Sequence, residues 1–252
     1  MTEHESLTWG AVILAAGKGT RMRSDLPKVL HEAAGRTLLD HVLDLALTVV
    51  APGEVTFVVG HGADQVRARV AGRGVRTVLQ EPQLGTGDAV RVAVEALPRP
   101  APEALLVLSG DVPLLRPQTI ERLRAEIDGC VAVLLTAELS EPGSDGRVLR
   151  REDGTVKAVV EAGDADARTL AVGEVNAGVY AFRRQSLEAA LAGLSPGNVQ
   201  GEYYLTDVAA ALAEKGLRVA AVRLEDPTEM MGVNTVEDLR TVETLLAGGR
   251  RC

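Results

Sequence analysis

The chain has 252 residues, 46% of them hydrophobic and only 2% aromatic, and its formal net charge is −8. That length can bury one large core or two modest ones, and with so few rings the core must be built from Ala, Val and Leu. The acidic balance and the lack of rings exclude a broad phosphate-backbone footprint and a base-stacking surface, so no nucleic-acid partner is expected.

Residues 1–10 show neither the basic segment nor the apolar segment of a leader peptide, and no apolar run reaches membrane-spanning length. Cys130 and Cys252 imply no disulfide framework; Cys130 opens an apolar run and is expected to be a small buried core residue. His4, His31, His41 and His61 lack zinc spacing. The expectation is a cytoplasmic protein without a membrane partner.

The first predicted strand, 11–16, runs directly into Gly17-Lys-Gly-Thr-Arg-Met22, and Pro27-Lys28 follows. A glycine-rich loop at a strand end lets backbone N–H groups approach a polyphosphate, and Lys18, Arg21 and Lys28 can neutralise it. Walker A is excluded because Lys18 is followed by Gly19, and the dinucleotide fingerprint because Met22 stands where its third glycine belongs.

Short Val/Leu-rich runs at 54–60, 75–80, 104–109 and 130–139 continue the strand series, with helices predicted near 37–50, 62–71, 86–97 and 116–127. Strands alternating with helices imply parallel crossovers and a doubly wound α/β sheet, whose ligands bind outside the carboxyl ends of the strands. The Gly17 loop, Gln80 and Asp111 all fall at such ends. Gln80-Glu-Pro-Gln-Leu-Gly-Thr-Gly-Asp88 opens a helix whose first turn offers free N–H groups, and the Gln80 amide can present a donor and an acceptor to a base edge. Asp111, beyond strand 104–109, is placed either to hold a hard cation such as Mg²⁺ or to cap the next turn.

After residue 140 the rhythm changes. A hairpin is predicted over 146–161, turning at Asp153-Gly154, then an exposed polar loop over 162–170. A strand at 175–183, helices near 185–193 and 206–215, a strand at 218–225 and a helix at 235–247 complete the pattern. The second half reads as an insertion that lids the sheet.

Leu-Ala-Ala-Gly-Lys-Gly-Thr-Arg-Met22 with Pro27-Lys-Val-Leu-His31 resembles the signature of the sugar-nucleotidylyltransferases. The Gln-x-x-Gln-Leu-Gly-Thr-Gly loop, Gly110-Asp-Val-Pro-Leu114, Gly201-Glu-Tyr-Tyr-Leu-Thr-Asp207 and Gly232-Val-Asn234 are more specific. Together they resemble the pyrophosphorylase domain of the bifunctional bacterial N-acetylglucosamine-1-phosphate uridylyltransferases/glucosamine-1-phosphate acetyltransferases, over about residues 10–240. The resemblance implies a Rossmann-like, mixed but mainly parallel sheet with a β-rich sugar-binding insertion. It divides one nucleotidyltransferase domain into a nucleotide-binding half (8–140), a sugar-binding half (141–234) and a C-terminal helix and tail (235–252).

The implied reaction is uridylyl transfer from UTP to N-acetylglucosamine 1-phosphate with Mg²⁺ as cofactor. Leu14, Ala15, Ala16 and Gly17 would line the nucleotide site, with Gln80, Gly85 and Thr86 around uracil and ribose. Arg21 would face the leaving pyrophosphate and Lys28 the incoming phosphate; Asp111 and Asn234 would hold Mg²⁺, and Gly146, Glu161 and Asn176 would contact the sugar. Ser109, before Gly110, stands where the family usually has Tyr, and Asn176-Ala-Gly178 replaces the commoner Asn-Thr-Gly. These departures leave another sugar 1-phosphate or another nucleotide as alternatives, with a non-catalytic sugar-nucleotide sensor as a reading of a different class. The sequence given ends at Cys252, so the family's β-helix, its acetyl transfer and its trimer contacts are not expected of it.

Overall fold

The computed structural model describes residues 7–248; His4, Cys252, most of the segment scanned for a leader and the tail over 249–252 lie outside the described residues. Strand β1 (Trp9–Ala15) is buried along nearly its whole length. Its side chains alternate, so Ala11, Ile13 and Ala15 enter one core while Val12 enters another. A strand buried on both faces needs helices on both faces. Helices α1 (Leu38–Ala46) and α2 (Ala63–Val70) cover the first face, and α3 (Thr86–Glu95) the second. Strand β4 (Val55–Val59) follows the same rule, with Phe57 in one core and Val58 in the other. A small hairpin, β2 (Glu32–Ala33) and β3 (Arg36–Thr37), precedes α1 and was not anticipated; its turn puts Ala34 and Gly35 in the left-handed region.

Strand β5 (Arg76–Leu79) pairs with β4, and β6 (Ala104–Ser109) with β1, all in parallel. Helix α4 (Pro117–Glu126) then leads to β7 (Ala132–Glu138). The predicted hairpin forms as β8 (Arg147–Arg150) and β9 (Val156–Val160), with Gly154 at φ 82° in its turn. The segment expected as a loop at 162–170 is partly ordered: α5 (Ala167–Leu170) forms there, and the Asp166 side chain caps it by accepting from Thr169 N at 2.8 Å.

The order of the main path is β11-β7-β10-β6-β1-β4-β5, where β10 is Glu174–Arg183 and β11 is Val219–Arg223. The sheet is therefore mixed and mainly parallel, as expected. The lid-like reading of the second half is corrected: β10 is inserted antiparallel between β6 and β7, and β11 extends the sheet in parallel beyond β7. Only the β8–β9 hairpin stands off the main path, attached through the Arg147–Val175 pairing. Helices α6 (Arg184–Leu191) and α7 (Asp207–Glu214) join the core that holds α3. Cys130 is buried in the other core, as expected.

A third, smaller cluster has a direct bearing on the site. Met22, Ala33, Leu38, Leu114, Val233 and Val242 pack together, fastening α8 (Val236–Ala247) beside the loop that follows β1. Among the described residues no helix is long and apolar enough to cross a membrane.

Candidate active site

Four loops at the carboxyl ends of β1, β4, β5 and β6 are bonded to one another. The Ala16 carbonyl accepts from His61 N at 3.2 Å and from Gln83 Nε2 at 2.6 Å. Gly110 N donates to Leu14 O at 2.9 Å, and Gln80 N to Val59 O at 2.8 Å. Gly60 permits this crowding, because a Cβ there would lie 2.9 Å from Ala16 O.

The result is an open cleft of about 1080 Å³. Leu14, Ala15, Ala16, Gly17, Lys28, Gln80, Gly85, Thr86, Ser109 and Asp111 line it, together with Lys18. Gly110 lies beneath rather than on this wall, against the Leu14 carbonyl. Gly60, His61, Asp64, Arg67 and Gln83 also line the cleft and were missed. The strand-end rule that singled out Gly17 applies equally to Gly60-His61-Gly62, and Gln83 lies inside the glycine loop already recognised.

Arg21 and Asn234, 213 positions apart, meet beside the cleft. Arg21 Nη2 donates to Asn234 Oδ1 at 3.0 Å, and Lys28 Nζ donates to the same oxygen at 3.0 Å. Lys28 Nζ also pairs with Asp111 Oδ2. Asn234 is held by the start of α8, where Thr235 and Asp238 form a reciprocal capping box and Asp238 Oδ2 accepts from Asn234 N at 2.9 Å. Burial opposes the charge of Asp238, yet the backbone N–H groups of Asn234 and Thr235 hold its pKa below the ordinary value. Val233 N donates to Asp111 O at 3.0 Å, tying this turn to the β6 loop.

Gly146, Glu161 and Asn176 form a second group, off the cleft wall. Asn176 N donates to Gly146 O at 2.9 Å, and a Cβ on Gly146 would lie 3.4 Å from Glu161 Oε2. Asn176 sits where the β10 register shifts, and its Nδ2 donates to the buried Tyr180 hydroxyl at 2.7 Å. Burial raises the Glu161 pKa; the Thr206 hydroxyl, donating to Oε1 at 2.8 Å, opposes that rise, and Asp207, Asp164 and Asp145 add to it. Asp145 and Asp207 are likewise raised, each chiefly by burial. The segment carrying Thr206 connects the two groups: Thr86 Oγ1 accepts from Leu205 N at 3.0 Å, Gly87 N donates to Tyr203 O at 2.7 Å, and Tyr203 N to Leu84 O at 2.8 Å.

One expectation for the base loop is corrected. Gln80 does not have both amide functions available, because its Nε2 is engaged by Gly85 O at 2.9 Å and Asp88 Oδ2 at 2.8 Å.

A mainly parallel sheet with glycine-rich strand-end loops and cations over its carboxyl edge defines a nucleotide-binding α/β transferase. Residues 11–143 match the model of the MobA-like NTP transferase domain, and the chain belongs to that family. It is a nucleotidyltransferase. The chain is 47% identical over 232 residues to the bifunctional protein GlmU of Marinobacter nauticus, covering 92% of this chain and 50% of that protein. With GlmU of Alkalilimnicola ehrlichii it shares 49% identity over 232 residues, again 92% of this chain and 49% of the relative. The chain thus spans about half the length of the curated relatives it matches. In fold it resembles the inositol-1-phosphate CTP transferase from T. maritima, with TM-score 0.72 and 17% identity over 98% of this chain and 99% of that one. A nucleotidyl transferase from Methanothermobacter thermautotroptrophicus superposes with TM-score 0.64 and 21% identity over 96% and 99% of the two chains.

Proposed function

We propose that the chain transfers a uridylyl group from UTP to N-acetylglucosamine 1-phosphate, giving UDP-N-acetylglucosamine and pyrophosphate. The observation that carries this reading is the convergence of Lys28, Arg21, Asp111 and Asn234 beside a cleft formed by the Gly17 and Gly85 loops. The motif resemblance supplies the choice of base and sugar.

The sugar phosphate needs no protein base. A phosphate monoester has a second pKa of about 6, so near neutral pH its oxygen is already a nucleophile. That oxygen forms a bond to the α-phosphorus of UTP while the bond to the bridging oxygen of pyrophosphate breaks. The obstacle is bringing two anions together in line, which fixed cations and oriented N–H groups overcome. Lys28 would hold the incoming phosphate, Arg21 the departing pyrophosphate, and the Gly17 loop the phosphates between them.

The donor set suits Mg²⁺. A carboxylate oxygen of Asp111 and an amide oxygen of Asn234 converge on one cation, the Lys28 ammonium, and Mg²⁺ commonly takes one or two protein oxygens with the rest from phosphate and water. Asp111 and Asn234 would hold it, and it would supply charge neutralisation of the triphosphate. Glu161 and Asn176, an acceptor beside an amide, suit sugar hydroxyls.

A pyrophosphate-release assay with UTP and Mg²⁺ across several sugar 1-phosphates tests the reading. Release with N-acetylglucosamine 1-phosphate ahead of the others is expected. Release with none of them returns the chain to the sensor reading.

A further inference from the structure

Gln80 is 4% exposed at the carboxyl end of β5, and it lines the cleft. Both of its amide hydrogens are directed at oxygens, Gly85 O at 2.9 Å and Asp88 Oδ2 at 2.8 Å. A backbone carbonyl and a carboxylate are acceptors, so turning the amide over would set Oε1 against two oxygens. Among the described residues nothing donates to Oε1.

Asp88 does not line the cleft. It is 4% exposed in the first turn of α3, with its other oxygen paired to the Arg91 guanidinium one turn on. Arg91 in turn lies 5.3 Å from the centre of the Tyr203 ring. The carboxylate is thus held from two sides, and it holds the glutamine.

We infer that Asp88 is a positioning residue for base selection: by engaging the NH₂ of Gln80 it leaves Oε1 as the amide's free function, an acceptor facing the cleft. An acceptor at that point favours a pyrimidine carrying a ring N3–H, as uracil does. Cytosine presents an acceptor at N3, and its donor lies one position over, on N4. A site built around one hydrogen-bond polarity discriminates against the reversed pattern because the mismatched polar groups are left unpaired. This inference rests on the uridylyl reading of the cleft, and it adds the residue that sets the polarity.

The test is calorimetric titration of the full chain with UTP and with CTP, each with Mg²⁺, for the wild type, Asp88→Ala and Asp88→Asn. The wild type is expected to bind UTP about tenfold or more tighter than CTP. In Asp88→Ala the ratio should fall towards unity, because the freed amide can turn to either polarity. Asp88→Asn should keep the preference, since its carbonyl can still accept from Gln80. A merely structural Asp88 would weaken both nucleotides alike; an unchanged ratio in Asp88→Ala, or no preference in the wild type, overturns the assignment. Should Asp88→Ala give no cooperative thermal melt, Asp88→Ser is read by the same ratio. Pyrophosphate release by the wild type separates the two readings. Selective UTP binding without release with any sugar 1-phosphate ends the transfer reading and keeps the role of Asp88. Release with an unchanged ratio in the variant ends that role alone.

Discussion

Lys28 and Asp111, 83 positions apart in the chain, form an ion pair beside the cleft with side chains only 16% and 17% exposed. Partial burial makes such a pair more consequential than a surface bridge, because removing either partner leaves the other charge poorly solvated. The pair also gathers on one spot the cation proposed for the incoming phosphate and the carboxylate proposed for the metal.

Lys28→Ala should lower kcat/KM for the sugar 1-phosphate by about 10²–10³-fold, the usual cost of removing one charge-stabilising donor from a transfer site. UTP binding should change far less. Steady-state kinetics varying each substrate in turn check this, and a variant within twofold of wild type removes Lys28 from the reaction.

Asp111→Asn should raise the Mg²⁺ concentration needed for half-maximal pyrophosphate release by about tenfold or more, as expected when a hard cation exchanges a charged oxygen for a neutral one. Chelation of the cation should abolish release in the wild type. An identical Mg²⁺ titration for the two proteins would take Asp111 out of the metal site.

Glu161 gives a pH-dependent prediction. Its pKa is raised in the folded protein, mainly by burial, so the folded state holds the proton more tightly than the unfolded chain does. Its contribution is favourable below the unfolded value of about 4.3 and is lost as pH rises through the higher folded value. Glu161→Gln, which can still accept from Thr206, should therefore melt a few degrees above wild type at neutral pH. The gap should close as pH falls towards 4. The same substitution should raise KM for the sugar 1-phosphate. Thermal melts across that pH range, with kinetics at neutral pH, distinguish these effects.

Gly85→Ala should destabilise the fold by about 2–4 kcal/mol, combining backbone strain with overpacking. Gly85 has φ 111°, and a Cβ there would lie 2.6 Å from the Tyr203 carbonyl oxygen. Urea denaturation reads the change, and a midpoint equal to wild type would mean that segment 202–205 can withdraw from the base loop.

The strand-end loops were legible because their signals are local. An apolar run followed by glycine marks Gly17, Gln80 opens the run that ends in Gly85-Thr-Gly87, and Asp111 follows Ser109-Gly110; all face the carboxyl edge of a parallel sheet. Gly60-His61 carried the same signal, and the cleft confirms the rule at that strand as well. Segment 162–170 was misread because its caps are short-range: Asp166 receiving Thr169 N is enough to stabilise a single helical turn in a polar stretch.

The sequence by itself determined the alternating βα pattern, the glycine loops and the set of cations and carboxylates, since each depends on side-chain period or on neighbours within one loop. Tertiary structure alone decided that β10 enters the sheet between β6 and β7, because strand order is a matter of long-range pairing that no local pattern encodes. It also decided that Arg21, Lys28, Asp111 and Asn234 share one spot, through the packing of α8 on the β1 loop. The polarity of Gln80 belongs to the same class: an amide is ambiguous until its neighbours are known, and Asp88 and Gly85 O are the neighbours that settle it.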